Sequence, residues 1–126
     1  MALPRSKMKL SRREHDDLLI FDLSGDLDTA GAGPVKEEIR NAIDEGARRI
    51  LINLEGVPYI DSAGLGARVS VLKRAREQGG TVWLCALGDQ VRMVIELTRL
   101  QNVFDIFRDV DEAIAEILDE GGQETE

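Results

Sequence analysis

The chain has 126 residues, 24 acidic against 16 basic side chains and a formal net charge of −8. That length suits one ordinary domain and is too short for two, and the acidity argues against non-specific nucleic-acid binding, because a phosphate backbone would be repelled. A single cysteine, Cys85, precludes an internal disulfide, and no N-terminal apolar run has the length of a signal peptide or membrane helix, so a cytoplasmic protein without membrane insertion is expected.

In chain order, Met8 to Arg13 reads as a weakly alternating edge strand. A polar turn at Glu14-His15-Asp16-Asp17 leads to a stronger strand, Leu18 to Leu23, and the pair is read as an N-terminal hairpin. Asp28 or Thr29 starts a helix with apolar positions at Val35, Ile39, Ala42 and Ile43, Pro34 in its first turn and Gly46 at its end. Ile50 to Leu54 is a short buried strand, residues 55–61 form a loop, and Leu65, Val69, Leu72 and Ala75 recur at helical spacing until Gly79-Gly80. Val82 to Ala86 is a third buried strand, with Trp83 and Cys85 as core residues. Beyond a polar break at Gly88-Asp89-Gln90 come a helix over Val91 to Leu97, a short strand at Val103-Phe104-Asp105-Ile106, and a last helix opened by Asp109 or Asp111. Ala113, Ile114, Ile117 and Leu118 lie on one stripe of that helix. Met93, Leu97 and Leu100 are read as core rather than as an exposed patch. This order predicts an α/β layered fold, a mixed but mostly parallel sheet with crossover helices, as one domain over 1–118. Residues 119–126 contain no apolar side chain and are expected to be a disordered acidic tail.

The most informative stretch is Pro58-Tyr59-Ile60-Asp61-Ser62-Ala63-Gly64-Leu65-Gly66, where a hydroxyl follows a carboxylate at the start of a helix. On position alone, Ser62 is an N-cap or first-turn residue, or an accessible regulatory hydroxyl. Ala63, Gly64 and Gly66 leave little bulk to keep a partner away, and each glycine weakens the turn by roughly 1 kcal/mol relative to alanine, a cost that asks for a reason in packing or contact. Free N–H groups at a helix start, with the positive end of its dipole, suit a phosphate.

This segment resembles the signature of the STAS domain of anti-sigma factor antagonists, an Asp-Ser-x-Gly-Leu-Gly run after a buried strand. The resemblance extends from about Leu18 to about Leu118 and includes Leu23-Ser24-Gly25-Asp26-Leu27-Asp28, the Gly79-Gly80 turn before Thr81-Val82-Trp83-Leu84-Cys85, and Ile95-Glu96-Leu97-Thr98-Arg99-Leu100 before Val103-Phe104-Asp105-Ile106-Phe107. It implies a non-enzymatic protein that binds an anti-sigma factor or ATP-binding serine kinase in a partner-switching pathway regulating transcription. Phosphorylation at Ser62 would break that complex and a separate serine phosphatase would restore it. The partner face implied comprises Asp26, Asp28, Asp61, Ser62, Ala63, Gly64, Leu65 and Gly66, with Asp61 arranging the phosphorylation loop. Ala63 stands where many members carry a second hydroxyl, which leaves Ser62 as the one acceptor. The alternative is a STAS accessory subunit of a transporter or lipid-trafficking complex that docks permanently through the same face.

Other chemistry is poorly supplied. Asp26 and Asp28 lack the ligand count of a calcium site, and both also read as turn and cap residues. Gly31 and Gly33 do not make a dinucleotide fingerprint, and His15, the one histidine, sits in a polar turn. No metal or cofactor is expected. Lys73, Arg74 and Arg76 form a basic cluster, a solvated face or a means of steering an acidic partner.

Overall fold

The computed structural model describes residues 8–100 and 105–123. Its organisation begins with the period-2 pattern of Leu18–Ser24 (β2), which sends Leu19, Phe21 and Leu23 to one face and Leu18 and Ile20 to the other, all buried. A strand apolar on both faces belongs inside a sheet covered on both sides. Lys9–His15 (β1) pairs antiparallel with it, and Arg49–Gly56 (β3), Thr81–Cys85 (β4) and Ile106–Phe107 (β5) follow in parallel, giving the order β1-β2-β3-β4-β5. The expected hairpin is present. Its turn is tighter than expected, because β1 continues to His15 and leaves Asp16 and Asp17, with Asp16 in the left-handed region at φ 55°.

Helices α1 (Thr29–Asp44), α2 (Ser62–Glu77) and α3 (Asp89–Leu97) connect successive parallel strands. Strands laid down in sequence order, joined by crossovers of one hand, put every crossover helix on the same face. The larger core accordingly lies there, with Val35, Ile39 and Ile43 of α1, Val71, Leu72 and Ala75 of α2, and Val91 and Ile95 of α3 against Phe21, Ile50, Ile52 and Leu84. Helix α4 (Val110–Gln123) covers the opposite face through Ala113 and Ile117, packed with Leu18, Ile20, Leu51 and Cys85. Trp83 is half-buried in this second cluster, its ring 6.0 Å from the Arg49 guanidinium.

Several expectations are corrected in detail. Pro34 is in the second turn of α1, since Asp28 is the N-cap, so its missing N–H leaves the Ala30 carbonyl without its helical donor. Val69 is 39% exposed. The inward seam of α2 runs through Gly64, Val71, Leu72 and Ala75, and a pattern that counts only apolar side chains overlooks the glycine that faces the fold. Met93 and Leu97 are 52% and 77% exposed, because Val91 and Ile95 take the inward positions and residues two further on point away; Leu100 does pack against the core. The last strand is observed at Ile106–Phe107, and residues 101–104 of the expected strand and its approach lie outside the described residues. Helix α4 runs to Gln123, so residues 119–123 of the expected disordered tail are helical, since an established helix gains one bond per added residue; residues 124–126 lie outside the described residues.

Candidate functional site at the C-terminal edge of the sheet

Parallel strands deliver the loops that follow them to one edge, so Asp26 and Asp28 after β2, Asp61 and Ser62 after β3, and Asp89 and Gln90 after β4 come together although they are far apart in sequence. Backbone bonds join the first two loops: Gly25 N–H donates to the Gly56 carbonyl at 2.9 Å, Leu27 N–H to the Tyr59 carbonyl at 2.9 Å, and Asp61 N–H to the Leu27 carbonyl at 3.3 Å. Leu27 and Ile60 thereby form an isolated parallel bridge beyond the ends of β2 and β3. On the far side of the segment, the Gln90 side chain bonds both backbone groups of Ile60.

Asp61 is the N-cap of α2. Its backbone is extended, its Oδ1 accepts from Ala63 N–H at 2.9 Å and Gly64 N–H at 3.2 Å, and its carbonyl accepts from Leu65 N–H at 2.9 Å. Ser62 is therefore the first helical residue and is exposed. This corrects the expectation that free helix-start N–H groups await a phosphate: those of Ala63 and Gly64 are already bonded to Asp61. A phosphate on Ser62 would meet the helix dipole and a neighbouring carboxylate, so its principal effect would be on the outward surface.

The two glycines after Ser62 differ. A Cβ on Gly64 would run into the Leu27 carbonyl and lie 2.9 Å from Ile60 Cγ1, so only glycine lets α2 seat against the joined loops. A Cβ on Gly66 would meet nothing within 4 Å, and the residue is exposed, so packing does not require glycine there. Ala63 and Leu65 are half-buried, Leu65 against the core, and Tyr59, two residues before Asp61, is 43% exposed.

Of the remaining expected contact residues, Asp26 is half-exposed at the edge. Asp28 is 4% exposed, with its Oδ1 3.1 Å from the N–H groups of Ala30 and Gly31. Its carboxylate is committed to capping α1, which makes it a support beneath the face and removes it from direct contact. Gly64 is likewise buried. The basic cluster is at the other end of α2 from Ser62, where the Arg74 guanidinium bonds Asp44 at 2.8 Å and Lys73 is exposed.

A second polar group lies apart from this edge face, on the α4 side. Asp22, Asn53 and Cys85 occupy one register row across three strands. Arg13 donates to Asp22 at 2.8 Å, Asn53 Nδ2 donates to Asp22 at 2.8 Å, and Asn53 Oδ1 accepts from Glu55 N–H at 3.1 Å. Burial alone would raise the Asp22 carboxyl, but the hydrogen bonds from Arg13 and Asn53 outweigh it and hold it below its usual range. Burial pushes the Cys85 thiol up to about 12, so it remains a neutral core residue and a poor nucleophile.

Fold and edge together define a class: an α/β module that carries, at the C-terminal edge of its sheet, a ledge of three loops built around a helix-start serine. The chain belongs to the STAS domain family, whose profile matches residues 9–113. It is 33% identical over 108 residues to the Bordetella bronchiseptica protein BtrV, assigned to the anti-sigma factor antagonists, covering 86% of this chain and 93% of that one. A Thermotoga maritima protein structure assigned to the same class superposes with a TM-score of 0.78 at 27% identity, covering 85% of this chain and 92% of the other. The anti-sigma factor antagonist SpoIIAA shares the fold in its unphosphorylated form, with a TM-score of 0.75 at 22% identity over 86% of this chain and 96% of its own. Its phosphorylated form, from Bacillus, superposes with a TM-score of 0.70.

Gln90 and the exposure of Tyr59 were missed by the reading of the sequence. The signal for Gln90 was indirect: a polar break after a third parallel strand has to fall at the same edge as the other two loops.

Proposed function

We propose that this chain is an anti-sigma factor antagonist that works in the cytoplasm by binding, without catalysing a reaction, and that Ser62 is its phosphate acceptor. The observation that carries the reading is an exposed hydroxyl on the first residue of α2, flanked by a cap carboxylate and framed by loops bonded to one another. Unphosphorylated, the ledge of Asp26, Asp61, Ser62, Ala63, Leu65 and Gly66 binds an anti-sigma factor or related ATP-binding serine kinase, with Asp28 and Gly64 shaping it from beneath. Phosphorylation adds about −1.5 to −2 charge beside Asp61 and releases the partner by repulsion and desolvation cost, and a serine phosphatase resets the surface. The names of the relatives above 25% identity support this reading over a permanently docked transporter subunit.

The test is parallel capture from lysate of the source cell on wild type, Ser62→Ala, Ser62→Asp and, as a control, Thr29→Asp. An ATPase of the serine-kinase type held by wild type, Ser62→Ala and Thr29→Asp but lost from Ser62→Asp is the expected outcome. Equal capture by Ser62→Asp, or one membrane complex on all four baits, would overturn the proposal.

A further inference from the structure

We propose that Gln90 is a positioning residue for the Ser62 site, its carboxamide standing in for a missing strand on the outer edge of the segment that presents the serine. In an extended segment, alternate residues turn their N–H and C=O to opposite sides. Tyr59 C=O and Asp61 N–H point one way and are taken by Leu27. Ile60, between them, points the other way, and both of its backbone groups are taken by one side chain: Ile60 N–H donates to Gln90 Oε1 at 2.9 Å, and Gln90 Nε2 donates to the Ile60 carbonyl at 3.1 Å. Only this orientation of the amide makes both bonds, which fixes which atom is oxygen.

Gln90 is matched to the task. A carboxamide offers one donor and one acceptor in a plane at any pH, the same pair that a neighbouring strand would offer, whereas a carboxylate offers acceptors alone, a lysine or arginine donors alone, and an apolar side chain neither. Ile60 is 1% exposed, so without Gln90 its backbone groups lose their partner in a place with little access to water. The clamp also joins two elements that the sheet does not tie at this point. Gln90 is in the first turn of α3 and Ile60 is two residues before Ser62, so the start of α2 and the start of α3 are held in one fixed relation. A partner that covers Ser62 thus meets a ledge already in shape.

The functional half of this inference rests on Ser62 being a phosphate acceptor; the structural half does not. The experiment is amide hydrogen exchange by NMR on the full 15N-labelled chain as wild type, Gln90→Met and Gln90→Glu. Methionine keeps the length and volume but neither hydrogen bond, and glutamate keeps the acceptor alone. The Ile60 amide is expected to exchange on the order of ten-fold faster in Gln90→Met, with Gln90→Glu between it and wild type and the amides of Ile20 and Leu51 unchanged. Unaltered protection of Ile60 in Gln90→Met would overturn the clamp, because a merely space-filling role is satisfied by methionine. The ATPase retained on the Ser62→Ala bait is then used to phosphorylate the same proteins. A several-fold lower kcat/KM for Gln90→Met, partly regained in Gln90→Glu, supports positioning, and an unchanged kcat/KM overturns it. A wild type that accepts no phosphate overturns the acceptor reading instead, a failure visible without any variant.

Discussion

The starts of α1 and α2 repeat one another. Asp28-Thr29-Ala30-Gly31-Ala32-Gly33 and Asp61-Ser62-Ala63-Gly64-Leu65-Gly66 share an aspartate cap, an exposed hydroxyl, an alanine, a glycine pressed against a carbonyl, and a second glycine with open space where its side chain would be. Their surroundings differ. The Asp28 carboxyl is buried and Met8, just before β1, lies against Gly31, while Asp61 keeps part of its surface and is preceded by a segment bonded on both edges, to Leu27 and to Gln90. The motif builds a helix start in either place, and what frames it leaves one cap buried beneath the edge and the other partly open at it.

Paired substitutions sharpen the comparison. The largest effect is expected from Gly64→Ala, destabilised by about 3 kcal/mol in chemical denaturation because backbone and two side chains bar the new methyl; Gly31→Ala should lose about 1–2 kcal/mol, since the Asp26 carbonyl and Met8 Cβ that it would meet stand further off, at 2.7 and 3.0 Å. Equal losses would mean that the two seats are equally rigid. Next, Asp28→Ala should cost about 2 kcal/mol, against about 1 for Asp61→Ala, by the same measurement, because the Asp28 carboxyl is buried and leaves a gap when removed, whereas the Asp61 carboxyl is only half-buried. The smallest effect on folding separates the two regions best. Gly33→Ala and Gly66→Ala should each raise stability, by up to about 1 kcal/mol, yet only Gly66→Ala should weaken partner binding in a titration. If Gly33→Ala weakens it as much, both helix starts belong to the contact face.

Most of the fold was legible because it rests on patterns with a physical period. A nearly unbroken apolar run in Leu18–Leu23, helical spacing in Val35–Ile43 and glycines at 46 and 79, both at positive φ, mark elements that the structure contains. The α2 seam and the outward turn of Met93 and Leu97 were not legible, since helical spacing reports an apolar stripe without saying which side meets the sheet. At the site, the hydroxyl and its cap were visible as neighbours in sequence. The commitment of Asp28 to burial, the division of labour between Gly64 and Gly66, and the reach of Gln90 to Ile60 depend on which loops the sheet brings together, and a local motif carries no record of that.

The strand order has one more consequence. In doubly wound sheets small molecules lodge in the crevice that opens where the order reverses; among the described residues β2 to β5 never reverse, and the Gly25–Gly56 and Leu27–Asp61 bonds draw neighbouring loops together. The edge is left as a plateau. On the function proposed above, a phosphate at Ser62 would have no walls to shelter it, would be as open to an enzyme that removed it as to one that added it, and could be read only by a molecule broad enough to span the surface.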